Sequence, residues 1–149
     1  MAGRGELRSL DPADAAVVAS WPSSAEETRL WCSASSVSAE EITGWAGFGL
    51  YADELVGYGE VWVDDDEVEL ARLIVAPHAR GRGVGRELVA RLVEQALAHH
   101  PSIFMRVHPD NARALRCYAG AGFVRVSQAD ADEWNRLQPT LYVWLTYAA

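Results

Sequence analysis

Leu73-Ile74-Val75-Ala76-Pro77-His78-Ala79-Arg80-Gly81-Arg82-Gly83-Val84-Gly85-Arg86 decides how the chain folds. An apolar run ends at a proline, three alternate glycines follow, and Val84, Leu88, Leu92, Val93, Ala96 and Leu97 then recur on one helical face. The segment reads as strand, glycine loop and helix. The first backbone N–H groups of a helix have no partner inside it, and its dipole is positive at that end, so such a turn suits an anion. Glycines lack Cβ atoms and let phosphate oxygens approach the backbone, which makes a pyrophosphate the natural guest. A flexible turn before a well-packed helix would give an isolated pair of glycines the same appearance.

Upstream, AGFGLYA and LVGYGEVWV alternate with period two around the turn Ala52-Asp53-Glu54, and a second turn, Asp64-Asp65-Asp66, leads into VELARLIV. These three strands predict an antiparallel meander. A turn centred between Asp65 and Asp66 pairs Trp62 with Glu69 and Glu60 with Ala71, placing both glutamates on one face; a one-residue slip aligns Glu60 with Arg72 instead. Downstream, Pro101 ends the helix, and Ile103 to Val107 forms a strand parallel to the one before the loop. A helix from about Asn111 to Ala119 stops at Gly120 and Gly122, both suited to left-handed caps. Strands at 123–126 and 140–146, separated by a polar loop at 127–139, complete the sheet. The first third is mainly helical. Asp11-Pro12 starts one short helix, Ser24 with Glu27 makes a capping box for a second, Ser38 to Trp45 adds another turn, and Leu7 to Leu10 is a candidate first strand.

The length of 149 residues fits a single domain over 1–149, and 50% hydrophobic with 23% charged residues fits a globular one. Its 13 basic residues are all arginine and face 21 acidic ones, so the net charge of −8 disfavours nucleic acid and anionic membranes and favours cationic partners. Cys32, Cys117 and the four histidines show no metal-ligand spacing, so no metal is expected. The opening stretch MAGRGELRSLDPAD lacks an apolar export core and no apolar run is long enough to span a bilayer, which predicts a cytoplasmic chain.

Other phosphate-binding loops fail on spacing. A dinucleotide fingerprint counted from Gly81 or Gly83 meets Arg86 or Leu88 at its third glycine, and the Walker motif needs a lysine. What remains is Arg80-x-x-Gly83-x-Gly85 after an E-L-x-R-L-x-V-x-P strand, and here the chain resembles the Gcn5-related N-acetyltransferase (GNAT) superfamily. The segment Asn111-Ala112-Arg113-Ala114-Leu115-Arg116-Cys117-Tyr118-Ala119-Gly120-Ala121-Gly122-Phe123 looks like the family's N-x-x-A-x-x-x-Y-x-x-x-G-F helix. At about 100° per residue, Asn111, Leu115 and Tyr118 share one face. The resemblance covers roughly residues 46 to 146.

The resemblance implies an α/β (α+β) fold, with a mixed, mostly antiparallel sheet of six or seven strands flanked by about four helices. A splayed parallel strand pair would form the cofactor cleft. It also implies acetyl-coenzyme A as co-substrate. By similarity, Arg80, Gly81, Arg82, Gly83, Val84, Gly85 and Arg86 hold the pyrophosphate, backbone groups of Leu73, Ile74 and Val75 meet the pantetheine arm, and Asn111 and Tyr118 face the cofactor. Acetyl transfer to an amine needs a proton acceptor, a polarised thioester carbonyl and an acid for the departing thiolate. By similarity the Val75 N–H polarises the carbonyl, Tyr118 is the acid and Glu69 the base, with Glu60 as rival. Two adjacent carboxylates would draw a cationic small-molecule or terminal amine. Trp21, Trp31, Trp45 and Trp62 are candidates for the acceptor pocket as well as for the core. Trp134 in the 127–139 loop is a candidate flap residue, and the same loop is a candidate homodimer contact. The competing readings are an enzyme with another acyl donor or an oxygen acceptor, and a non-catalytic acyl-coenzyme A-binding module.

Overall fold

The computed structural model describes residues 5–148; residues 1–4, the start of the opening stretch discussed above, and residue 149 lie outside it. The strands are β1 (Glu6–Ser9), β2 (Phe48–Ala52), β3 (Glu54–Val63), β4 (Val68–Val75), β5 (Ile103–Val107), β6 (Phe123–Arg125) and β7 (Val143–Tyr147). They form one sheet in the order β1-β2-β3-β4-β5-β7-β6, antiparallel throughout except for the parallel pair β4–β5. The helices are α1 (Ala15–Ala19), α2 (Ala25–Cys32), α3 (Ala39–Trp45), α4 (Val84–Leu97), α5 (Ala112–Gly120) and α6 (Gln128–Asn135). The architecture is the expected mixed sheet with flanking helices.

Six α-helices replace the four or so expected, and the extra one with least warning is α6. Its residues QADADEWN are mostly polar, with Trp134 the one large apolar side chain, and give no apolar stripe. Local bonds hold it instead: Ser127 Oγ accepts from Asp130 N at 3.1 Å, and Gln128 bonds Asp132 one turn on at 2.8 Å. The start of β7 moves to Val143 because Asn135 bonds both the N–H and the carbonyl of Tyr142. At the other end of the chain, the complete capping box belongs to α3, where Ser38 and Glu41 bond reciprocally. The box expected at Ser24 is half made. Ser24 accepts from Glu27 N, but the Glu27 carboxylate is drawn away to Ser23 and Arg80.

The β3–β4 register is the one centred on the acidic turn, with Trp62 opposite Glu69 and Glu60 opposite Ala71. Beyond it the ladder slips. Tyr58 pairs with Ile74, so Arg72 and Leu73 both stand opposite Gly59, and Arg72 takes a left-handed φ of 52°. A bulge of this kind bends its strand. β4 pairs with β5 at Val68–Ile103 and Glu69–Phe104, after which the two strands part and leave a wedge between them.

The two faces of β3 meet different helices. On one, Cβ atoms at Gly57 and Gly59 would meet Leu88 and Leu92, so the absence of side chains there lets α4 lie close to the sheet. Leu88, Val89, Leu92, Val93 and Ala96 are buried, each large one contributing about 1.5–3 kcal/mol. Leu97 is 48% exposed, and Val89 fills the centre of the buried arc in its place. On the other face Tyr58 meets Trp31 of α2 edge to face, with centroids 6.3 Å apart, and Trp31 meets Trp45 of α3 at 5.9 Å. Of the two glycines expected to end α5 in a left-handed turn, only Gly122 does so, at φ 99°. Gly120 is still helical, and a Cβ there would sit 2.9 Å from the Arg86 guanidinium.

Candidate active site

A cleft of about 810 Å³ opens between α2, the end of β4, the glycine loop and α5. Gly81 and Gly83 line it at φ 77° and 81°, and nothing lies within 4 Å of where their Cβ atoms would be. A ligand can therefore reach the backbone at these two positions. Gly83 is the N-cap of the 14-residue α4 and offers no capping side chain, so the positive end of the helix faces the cleft. Gly85 also lines the cleft and has a second constraint. A Cβ there would lie 2.9 Å from Cys117 Sγ, so this glycine lets α4 and α5 pack closely.

Leu73, Ile74, Val75, Arg80, Arg86, Asn111 and Tyr118 also line the cleft, whereas Arg82 and Val84 lie outside its lining. Ala76 N donates to Val56 O on the β3 side, so strand alternation turns the N–H and carbonyl of Val75 away from β3, on the side of the cleft. Arg80 is tied down at both ends, with Nε donating to Val75 O at 3.2 Å and Nη2 to Glu27 Oε1 at 2.9 Å. Burial acts against the Glu27 carboxylate, but the Ser23 hydroxyl and the Arg80 guanidinium outweigh it and hold Glu27 below the usual carboxylate range. Asn111 caps α5, its Oδ1 accepting from Ala114 N at 3.3 Å.

A second cavity, of about 210 Å³, fills the wedge between β4 and β5. Tyr118 lines both spaces, together with Leu30, Trp31, Leu73 and Asn111. Burial keeps its phenol firmly protonated, and the neighbouring Cys117 acts in the same direction. The outer rim of the wedge carries a contact between elements far apart in sequence: Ser33, the left-handed C-cap of α2, places Oγ 3.1 Å from the Tyr142 hydroxyl.

The two glutamates share a face, as the register requires, yet their settings differ. Glu69 lines the wedge cavity and takes two bonds from Arg106, Nε to Oε2 at 2.7 Å and Nη2 to Oε1 at 2.9 Å. Glu60 is 1% exposed and lines neither space. Its oxygens accept from the Tyr58 hydroxyl at 2.7 Å, Trp62 Nε1 at 2.8 Å and Arg72 Nη1 at 3.1 Å. Burial still pushes Glu60 above the ordinary carboxylate value, against the pull of these donors. Each carboxylate thus has its own arginine. Arg106 lies in no sequence motif and Arg72 stands in the quoted strand motif without a role, so their pairing with the two glutamates becomes visible only when β3, β4 and β5 are assembled.

The tryptophans divide. Trp21 is core, Trp31 donates Nε1 to Arg72 O at 2.8 Å, and Trp45 stacks on the Arg72 guanidinium. Trp134 packs edge-on against Phe104 and Trp144, fixing α6 to the sheet where a flap was expected. Among the described residues no group of three metal-ligating side chains converges, and no helix is long and apolar enough to cross a membrane.

A model of the acetyltransferase (GNAT) family matches residues 7–123, and the chain belongs to that family of acetyltransferases. Mycothiol acetyltransferase of Cellulomonas flavigena is 34% identical over 109 residues, which cover 72% of this chain and 31% of that one. The chain spans between 21% and 31% of the length of the curated relatives it matches. Among solved structures, AAC(6')-Ib in complex with parmomycin and acetyl-CoA superposes with a TM-score of 0.75 at 19% identity, covering 98% of this chain and 94% of that one. Spermidine N-acetyltransferase from Vibrio cholerae, in complex with CoA and spermine, gives 0.69 at 22% identity, with 83% of each chain covered. At these identities the likeness is one of fold.

Proposed function

We propose that the chain transfers the acetyl group of acetyl-coenzyme A to a primary amine by direct attack, in a cytoplasmic setting. The observation that carries this reading is Tyr118, whose ring borders both the glycine-loop cleft and the wedge cavity. The residues present fit the cofactor. Two open left-handed glycines and the bare N-terminus of α4 suit a pyrophosphate, and the outward-turned Val75 N–H suits an acyl or amide oxygen. When bound, acetyl-coenzyme A supplies an acetyl group activated as a thioester.

This chain's own residues then have separate tasks. Gly81 and Gly83 present backbone toward the phosphates, and Arg80 adds charge once Glu27 releases it. The Tyr118 phenol, kept protonated by burial, donates to the departing sulfur. Glu69 is the carboxylate within reach of an amine in the wedge. Its oxygens retain acceptor capacity beyond the two bonds from Arg106, enough to take a proton directly or through water. Glu60, saturated and shielded, positions Arg72 and Trp62 in this reading and takes no proton from the acceptor.

Calorimetric titration with acetyl-coenzyme A, followed by thiol release across a panel of amines, tests the proposal. Gly83→Asp places bulk and negative charge at the α4 N-terminus and should weaken cofactor binding at least tenfold. Unchanged affinity in the folded variant would place the pyrophosphate elsewhere, and tight binding without amine-dependent thiol release would favour the non-catalytic module.

A further inference from the structure

The wedge cavity is unsuited to a polycation. Glu69 is already neutralised by two N–H groups of Arg106, and the Glu60 carboxylate is 1% exposed with three donors upon it. The charged side chains lining the cavity are two arginines and one glutamate, with His108 beside them. Several protonated nitrogens on one acceptor would therefore have to share the single, already paired Glu69 carboxylate. One ground for expecting a cationic acceptor, beside the net charge of −8, is a pair of adjacent carboxylates, and the structure gives each an arginine.

The two arginines are not equivalent. Arg106 is spent on Glu69 and, through Nη1, on Gln138. Arg72 gives only Nη1 to a protein partner among the described residues, Glu60 at 3.1 Å, and keeps 26% of its side chain exposed. Its guanidinium lies 3.9 Å from the centre of the Trp45 ring and 5.1 Å from that of Trp62. Two aromatic rings and a buried carboxylate fix its plane, leaving Nε and Nη2 as donors. A fixed guanidinium edge is matched to a carboxylate, whose two oxygens take parallel N–H bonds. The backbone agrees: Arg72 holds a left-handed φ of 52° in the β4 bulge, strain of the kind that re-aims a side chain beside a functional cavity.

We propose that the acceptor is an amine bearing a carboxylate, as in a free α-amino acid, and that Arg72 is the residue that selects it. This rests on the amine-acetylation reading above and narrows its substrate class. The amine sits toward Glu69 and Tyr118, and the carboxylate toward Arg72.

The test compares the twenty L-α-amino acids with their amides, and with spermidine, by acetyl-coenzyme A-dependent thiol release. In parallel, the CoA-loaded protein is titrated calorimetrically with the N-acetyl acids and N-acetyl amides. The expected result is that the best acid exceeds its own amide and spermidine at least tenfold in kcat/KM, with a matching difference in product binding. In Arg72→Met/Glu60→Gln, which removes the ion pair as a pair, the acid-to-amide ratio should fall toward one through KM. Arg72→Lys, which keeps the charge and the Glu60 contact but not the fork, should retain part of the ratio and serves where the double variant does not fold. Preference for spermidine or amides, or an acid-to-amide ratio indifferent to Arg72, overturns the proposal while leaving acetyl transfer intact. Acid-selective binding that depends on Arg72 without any thiol release overturns the transfer reading and upholds the carboxylate site. Absence of both overturns both.

Discussion

Arg80 donates to Glu27 at 2.9 Å, so the first residue of the glycine loop is bonded to α2, the helix that also borders the wedge. An arriving pyrophosphate and the Glu27 carboxylate compete for the same guanidinium. Both side chains are about a quarter exposed, which limits the pair to about 0.5–1 kcal/mol. Glu27→Gln should therefore tighten coenzyme A binding about two- to fivefold. Calorimetry at low ionic strength measures this directly; weaker binding in the variant would mean that Glu27 orients Arg80 toward the ligand.

Tyr118→Phe removes one hydroxyl from the boundary between the two cavities. Turnover should drop roughly 10²–10⁴-fold with cofactor affinity little changed, as expected for loss of a general acid. Single-turnover rates with saturating acetyl-coenzyme A and amine make the comparison. A rate close to wild type would leave Tyr118 a packing role and water as the proton source.

Glu69→Gln should depress turnover most at neutral pH and recover at high pH, where the amine loses its proton unaided. The same change also strips Arg106 of its partner. Arg106→Gln therefore serves as the control for altered wedge geometry, and it should shift KM without removing the ascending limb of the pH–rate profile. If Glu60→Gln alone removed that limb, the two glutamates would exchange roles.

Glu60 also predicts a pH dependence of stability. Its folded-state value lies above the ordinary 4.5 because of burial, so folding takes up a proton there. The stabilisation from that uptake is fully present below 4.5 and is lost as pH rises through the folded-state value. Urea midpoints of the wild type should fall relative to those of Glu60→Gln as pH rises above 4.5. A constant difference between the two curves would show that Tyr58, Trp62 and Arg72 fully offset the burial.

What could be read from the sequence was local. The acidic turn Asp64-Asp65-Asp66 has few ways to close, so counting leaves two registers, Glu60 with Ala71 or with Arg72, and the observed one is the first. Alternate glycines before an amphipathic helix likewise locate the cleft, because spacing alone puts them at a helix N-terminus. The bulge was hidden since no residue in Ala71-Arg72-Leu73 favours a left-handed backbone; tertiary bonds impose it, including the one from Trp31 to the Arg72 carbonyl. The Glu69–Arg106 pair joins strands 37 residues apart, a distance at which periodicity carries no information. Gly85 carries a second constraint that the motif does not reveal, since a Cβ there would meet Cys117 of α5.

The rim of the wedge carries a neutral contact, Ser33 Oγ to the Tyr142 hydroxyl, between groups that water can also reach. A bond of this type is worth about 0.5–1.5 kcal/mol net, so the parted form would make up on the order of a tenth to a third of the population at any moment. Such an aperture works as a loose latch. A small molecule could pass it on the timescale of side-chain motion, with no movement of one element past another, and the Arg80–Glu27 pair at the deeper end, worth no more than the latch, would part as readily.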